Sequence, residues 1–175
     1  NDTPEVAFEK AKVIYNFGAD FLETWGNPCE NARRFSESNA YDGKTKTELF
    51  HLSPHVSLTG AKADRWVVIR PGSEALVALS LASVIRDKKG GHKFLSRMLA
   101  SYKPEKVAEA TGVPAEKINE LALQFIKHSP SLALGGGPSA RNSNLTSLHV
   151  AVNILNAVSG NLGKTLHFHN QPAPE

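Results

Sequence analysis

Four short stretches of this 175-residue chain combine glycine or small hydroxyl residues with a polar or charged side chain in ways that could hold a ligand, the last two in the manner of anion sites. They are Gly18-Ala19-Asp20; the alternating row Ser53, His55, Ser57 and Thr59; Arg70-Pro71-Gly72-Ser73-Glu74; and Gly135-Gly136-Gly137, followed by Arg141. A glycine lets backbone N–H groups approach a ligand with no Cβ in the way, and a helix starting just after it adds the positive end of its dipole. The chemistry implied is the holding of a phosphate, with Arg141 able to make a forked contact and Asp20 able to hold a hydroxyl or cap a helix. Each stretch alone has a structural alternative. Gly18 reads equally as a strand terminator, Ser53 to Thr59 as a solvated loop, and Pro71-Gly72 as an ordinary βα turn. The Gly135–Gly137 turn is neither GxGxxG nor a P-loop, lacking the Gly-Lys-Ser/Thr ending.

Other chemistries find little support. Cys29 lies between Pro28 and Glu30 with no cationic neighbour in sequence, and no Ser-His-acid order or nucleophile elbow occurs, so no catalytic residue is assigned. His167 and His169 share a side of an extended segment without a nearby Asp, Glu or Cys, so no metal ligand is assigned either.

Such turns need strands to carry them. Val13–Phe17, Thr47–Leu52, Trp66–Ile69 and Ser131–Leu134 are short apolar runs ended by Gly or Pro, which predicts four strands, the third of them in the core. Glu5 to Lys12 reads as a helical or irregular lead-in, and Asn39 to Lys46 as a loop. Helices are expected from Pro28, from an N-cap at Ser73 to Ile85, from His92, from Pro104, from Pro114 as first helical residue, and over Leu145 to Ser159. Only Ser80 and Ser83 interrupt the apolar run from Ala75 to Ile85, so that helix should be deeply buried against the sheet. Ile118, Leu121, Ala122, Phe125 and Ile126 fall at amphipathic spacing. Strand and helix in alternation predict a three-layer αβα domain over residues 1–175 with a mainly parallel, Rossmann-like sheet, and Gly18, Gly72 and Gly136 on one rim.

Composition narrows the partners. Hydrophobic residues make up 41% and charged residues 21%, with a formal charge of +3 and no run of like charge, so neither nucleic acid nor an anionic membrane face is expected. The single cysteine excludes an internal disulfide and a cysteine-built cluster within this chain. No apolar run approaches the roughly 18 residues of a membrane span, so no direct membrane insertion is expected. The opening Asn1-Asp-Thr-Pro4 without an initiator Met reads as a piece of a longer protein.

Taken in order, the strand ending at Gly18-Ala19-Asp20, Ser53-Pro-His-Val-Ser-Leu-Thr-Gly-Ala-Lys-Ala-Asp64, Ile69-Arg-Pro-Gly-Ser-Glu-Ala-Leu-Val-Ala-Leu-Ser-Leu81 and Leu155-Asn-Ala-Val-Ser-Gly-Asn-Leu-Gly163 resemble the molybdopterin oxidoreductase family. The wording is most similar to catalytic-subunit homologues of quinone-linked membrane complexes such as alternative complex III. The resemblance implies the domain that cradles one half of a molybdenum or tungsten bis(molybdopterin guanine dinucleotide), a cofactor that some such homologues have lost. It implies cofactor contacts at Gly18, Ala19, Asp20, Ser53, His55, Ser57, Thr59, Arg70, Gly72, Glu74, Gly135, Gly136, Gly137 and Arg141. Here Ser53-Pro54-His55 stands where the family commonly has Asp-Pro-Arg, and Glu74 where it often has Asp. The resemblance also implies a non-catalytic fragment with no cofactor bound in isolation. Its partners would be the remaining domains of a parent subunit and the iron–sulfur and membrane subunits of a respiratory complex, with the parent periplasmic or membrane-associated. A scaffold domain that has lost the cofactor is the alternative; an independent NAD-binding fold lacks its GxGxxG fingerprint.

Overall fold

The computed structural model describes residues 4–39, 46–90, 93–137 and 145–168. Four strands, β2 (Val13–Phe17), β3 (Glu48–Leu52), β4 (Arg65–Val67) and β5 (Ser131–Gly135), form one parallel sheet in the order β4-β3-β2-β5. Asn16 pairs with His51 and Leu134, and His51 with Trp66, so all four carboxyl ends lie on one edge. The first crossover runs through α1 (Pro28–Ser38), the second through the short α2 (Leu58–Ala61). The return from β4 to β5 runs through α3 (Glu74–Lys89), α4 (Lys93–Leu99), α5 (Pro104–Thr111) and α6 (Ala115–Lys127), and α7 (Leu145–Ser159) follows β5. Because that return carries the chain from one side of β2 to the other, the crevice between β2 and β5 is the topological switch point, where open α/β sheets take their ligands.

The strand period of two divides the core into two layers. Val13, Tyr15, Phe17, Phe50 and Leu52 pack with Leu81, Ile85, Leu121, Phe125 and Leu155 from the helices after β4 and β5. Ile14, Leu49, Leu132 and Leu134 face the other way, onto Phe8, Phe21 and Leu166. Tyr15 anchors the first layer, its ring 4.8 Å from Phe50 and 4.7 Å from Phe125 and its hydroxyl donating to the Leu121 carbonyl at 2.8 Å. The result is the expected three-layer αβα arrangement with a parallel sheet.

Several local expectations are revised. The run at Trp66 is an edge strand rather than a core strand, with Trp66 47% and Val68 57% exposed, because β4 ends the sheet. Ser73 occupies the N-cap of α3, but its hydroxyl donates to the Arg70 carbonyl at 2.6 Å instead of capping the helix. Pro114 is the N-cap of α6 and not its first residue. The lead-in contains β1 (Glu5–Val6), paired antiparallel with β6 (Leu166–His167), and a 3-10 turn at Phe8–Lys10.

The β5 edge of the sheet is closed by side chains. Asn156 on α7 accepts from the Ala133 N–H at 3.0 Å and donates to the Ala133 carbonyl at 2.8 Å, standing in for a neighbouring strand. The Thr165 hydroxyl donates to the Ser131 carbonyl at 2.7 Å, and Asn161 bonds to both Ser131 and Asn156.

Candidate functional site

The carboxyl rim brings the predicted turns together. Gly18-Ala19-Asp20 leaves β2, Ser53 to Thr59 leaves β3, Arg70 to Glu74 leaves β4, and Gly136-Gly137 leaves β5. Arg141 lies outside the described residues. The two turns at the switch point touch: a Cβ on Gly137 would stand 2.8 Å from the Gly18 carbonyl oxygen and 3.3 Å from the Asp20 nitrogen. Ala19 is fully buried beneath them.

Asp20 is held from across the second crossover. Its Oδ1 accepts from the Thr59 N–H at 2.9 Å and from the Thr59 hydroxyl at 2.6 Å. Burial would raise its pKa, but the Thr59 hydroxyl and amide and the Ser57 hydroxyl outweigh burial and keep it below the usual carboxylate range. Asp20 is therefore ionised at neutral pH. Ser57 also caps α2, accepting from the Gly60 N–H at 3.2 Å, so the alternating hydroxyls are part of a helix start and not a free loop. The amides beyond the turn are spoken for. Leu22 N–H donates to the Thr59 hydroxyl oxygen, and those of Glu23, Thr24 and Trp25 converge on the Asp20 carbonyl.

Glu74 begins α3 and is only 3% exposed, yet its Oε1 has no hydrogen-bond partner. Burial raises its pKa, against the opposing pull of its own N–H, the Gly72 N–H and the facing His55. Ser53 is fully buried; its carbonyl accepts from the Trp66 indole N–H at 2.9 Å and its hydroxyl oxygen takes a long contact, 3.5 Å, from the His55 N–H, whereas His55 itself is exposed. Arg70 turns to α5, its guanidinium donating to the Glu109 carbonyl at 2.6 Å, where the negative end of that helix favours a cation.

Two groups that the sequence reading passed over belong to this rim. Asn16 in β2 and His51 in β3 are polar residues at paired positions, a signal that only the strand register reveals. Trp25 and His149 flank Gly136, and with Leu134, Gly135 and Phe168 they line a cleft of about 350 Å³ beside β5. A second cleft, of about 610 Å³, opens at the amino edge between Lys12, Glu37, Lys46, Glu48 and His128. The ends of α1 and α6 adjoin it, so helix dipoles there disfavour anions, and the rim remains the candidate site.

In sequence the chain is 28% identical over 162 residues, 89% of its length, to the menaquinone reductase molybdopterin-binding-like subunit of Nitratidesulfovibrio vulgaris, of which it covers 23%. It is 26% identical over 198 aligned residues to a dimethyl sulfoxide reductase of Haemophilus influenzae, covering 95% of this chain and 24% of that protein. The chain resembles the molybdopterin oxidoreductases. It spans about a quarter of the length of these relatives. Acetylene hydratase from Pelobacter acetylenicus shares the fold, with a TM-score of 0.76 and 22% identity over 95% of this chain and 24% of the hydratase. No known protein-family profile matches the chain.

For a molybdopterin-type dinucleotide the rim supplies one clear fit, the buried and unpartnered Glu74 Oε1, an acceptor that suits a ligand bringing N–H donors such as a guanine edge.

Proposed function

We propose that this chain is a dinucleotide-cofactor-binding αβα domain of a molybdopterin oxidoreductase subunit, a single domain over residues 1–175 that positions the cofactor and is not active alone. The reading rests above all on Glu74, whose idle buried oxygen sits at the start of α3 on the rim. In a dry setting an acceptor left without a donor costs about 1–3 kcal/mol, which a nucleoside edge would recover. The positive ends of helices and the Gly18, Ala19, Gly135, Gly136 and Gly137 amides would take the diphosphate, with Arg70 and Arg141 as cations nearby, while the Gly72 N–H stays with the Glu74 carboxylate. Ser53 and His55 would fix the nucleoside through hydroxyl and imidazole contacts, while Ser57, Thr59 and Asp20 would keep the first turn in shape. When bound, the metal centre of the cofactor supplies the electron-transfer chemistry; this domain supplies orientation and exclusion of water. The parent's partners would be its own remaining domains, with iron–sulfur and membrane subunits of a respiratory complex.

One observation favours a second reading, a scaffold domain without cofactor. The ionised Asp20 and the internal bonding of four amides after β2 leave less capacity for an anion at the switch point. Metal and pterin analysis of the purified full-length parent separates the two. Stoichiometric molybdenum or tungsten with a guanine-bearing pterin is the expected result, and clean absence of both after cofactor-replete expression leaves the scaffold reading.

A further inference from the structure

Asn16 and His51 lie side by side at the carboxyl ends of β2 and β3, 0% and 1% exposed. Asn16 Nδ2 is 3.1 Å from His51 Nδ1, and His51 Nε2 is 3.1 Å from the His55 carbonyl oxygen. A carbonyl only accepts, so in the neutral ring Nε2 carries the hydrogen and Nδ1 is bare, accepting from the Asn16 amide. Asn16 Oδ1 then has no partner although it is buried. Helix α2 lies directly on the imidazole, since a Cβ on Gly60 would come within 2.7 Å of its Cδ2 and 2.8 Å of its Nε2. The same helix carries Thr59, which holds Asp20.

We propose that Asn16 and His51 form a proton-operated latch beneath the rim, in which the ring takes one proton from solvent at Nδ1 and the Asn16 carboxamide turns over to accept that N–H with Oδ1. The two ends of a carboxamide are nearly the same size, so the rotation needs no repacking. In the charged state both ring nitrogens donate, to Asn16 Oδ1 and to the His55 carbonyl, and the idle oxygen gains its partner. The turn also carries Asn16 Nδ2 to the place Oδ1 held, so the neutral state leaves a buried acceptor unused and the charged state a buried donor. The groups that face the ring set the balance: burial favours the neutral form, as does the neighbouring His55 when charged, whereas the His55 carbonyl and the Asp20 carboxylate favour the charged one. The net effect is a positive charge that comes and goes below the Gly18–Asp20 turn with the fold unchanged. Given the rim reading proposed above, on which this last step rests, proton uptake tightens the hold on a diphosphate.

Long-range ¹H–¹⁵N correlation spectra of the histidine rings, recorded on the 175-residue chain against pH, test the latch. His51 should pass from the Nε2–H tautomer to the doubly protonated ring while far-UV circular dichroism stays native, with the Asn16 side-chain NH₂ signals moving at the same midpoint. Asn16→Asp, of equal shape but a permanent acceptor, should shift the midpoint up, and Asn16→Leu should shift it down. Protonation of His51 only as the chain unfolds, or an unchanged midpoint in the Leu variant, overturns the latch. Inorganic pyrophosphate should raise the wild-type midpoint; a ring that titrates as described but ignores pyrophosphate overturns the coupling and the rim reading, and leaves the proton step standing.

Discussion

Asp20 and Glu74 are both carboxyl groups on one rim, and their surroundings push them in opposite directions. Asp20 is surrounded by donors on a neighbouring helix start and stays charged, whereas Glu74 keeps one oxygen idle in a dry pocket. For Glu74 the sign of the linkage is clear: its folded pKa is raised above the ordinary 4.5, so the folded state binds more protons and stability falls as pH rises through that window. Glu74→Gln removes the ionisable group and should stabilise the chain at pH 7 by about 1 kcal/mol, on the scale of a buried polar group poorly met. For a chain of this size that is a rise in Tm of roughly 2–4 °C. The gain should vanish in acid, where the wild-type carboxyl is protonated, and thermal melts at pH 7 and below pH 4 check both halves; a gain that persists undiminished in acid contradicts the assignment. The same substitution is expected to weaken any donor-bearing ligand at the rim, since the residue that destabilises the fold is the one left open for function.

Among the elements, the clearest division of labour is between the two edge strands. The β4 edge is left exposed, while β5 is closed by Asn156, Asn161 and Thr165. The Leu155-Asn-Ala-Val-Ser-Gly-Asn-Leu-Gly163 stretch, which helped to carry the family resemblance, thereby has a structural task that its spacing alone did not reveal. Asn156 and Asn161 are separated from Ala133 and Ser131 by most of a helix, and only the fold makes them a surrogate strand. Strand and helix positions, by contrast, were legible because their signals are local: an apolar run ended by glycine, or a 3.6-residue period. The burial of Trp66 was misjudged because composition fixes a strand's character but not its rank in the sheet. Asn156→Leu should orphan the Ala133 N–H and carbonyl together and cost about 3 kcal/mol, a fall in Tm of roughly 6–12 °C. Hydrogen exchange at Ala133 should accelerate beyond what the global loss explains; a near-neutral substitution would mean that the edge is held by other contacts.

At the scale of the whole molecule, the first crossover of the sheet and the segment that leaves its last strand, β5, come together where the Gly18 and Gly137 turns meet, and this contact shapes the crevice at the switch point. It was foreseeable that both turns would reach the same rim, because parallel strands with helical crossovers leave no other arrangement. That they would touch was not, since glycine in a sequence signals freedom of the backbone and does not say what stands where its side chain is missing. At Gly137, with φ at +91°, the missing Cβ would lie 2.8 Å from a backbone oxygen, which cannot swing aside as a side chain can. At Gly160, with φ at +77°, nothing lies within 4 Å. Alanine at Gly160 should therefore incur only the left-handed backbone penalty, about 1 kcal/mol. Alanine at Gly137 should incur that penalty and the cost of forcing the two turns apart, about 3 kcal/mol together. Urea unfolding of the two variants side by side tests the difference, and equal losses would show that the turns are not in contact in solution. If the gap is found, widening of the crevice in Gly137→Ala should also expose the Ala19 and Asp20 amides to faster hydrogen exchange, because the turn that covers them from the β5 side has been displaced.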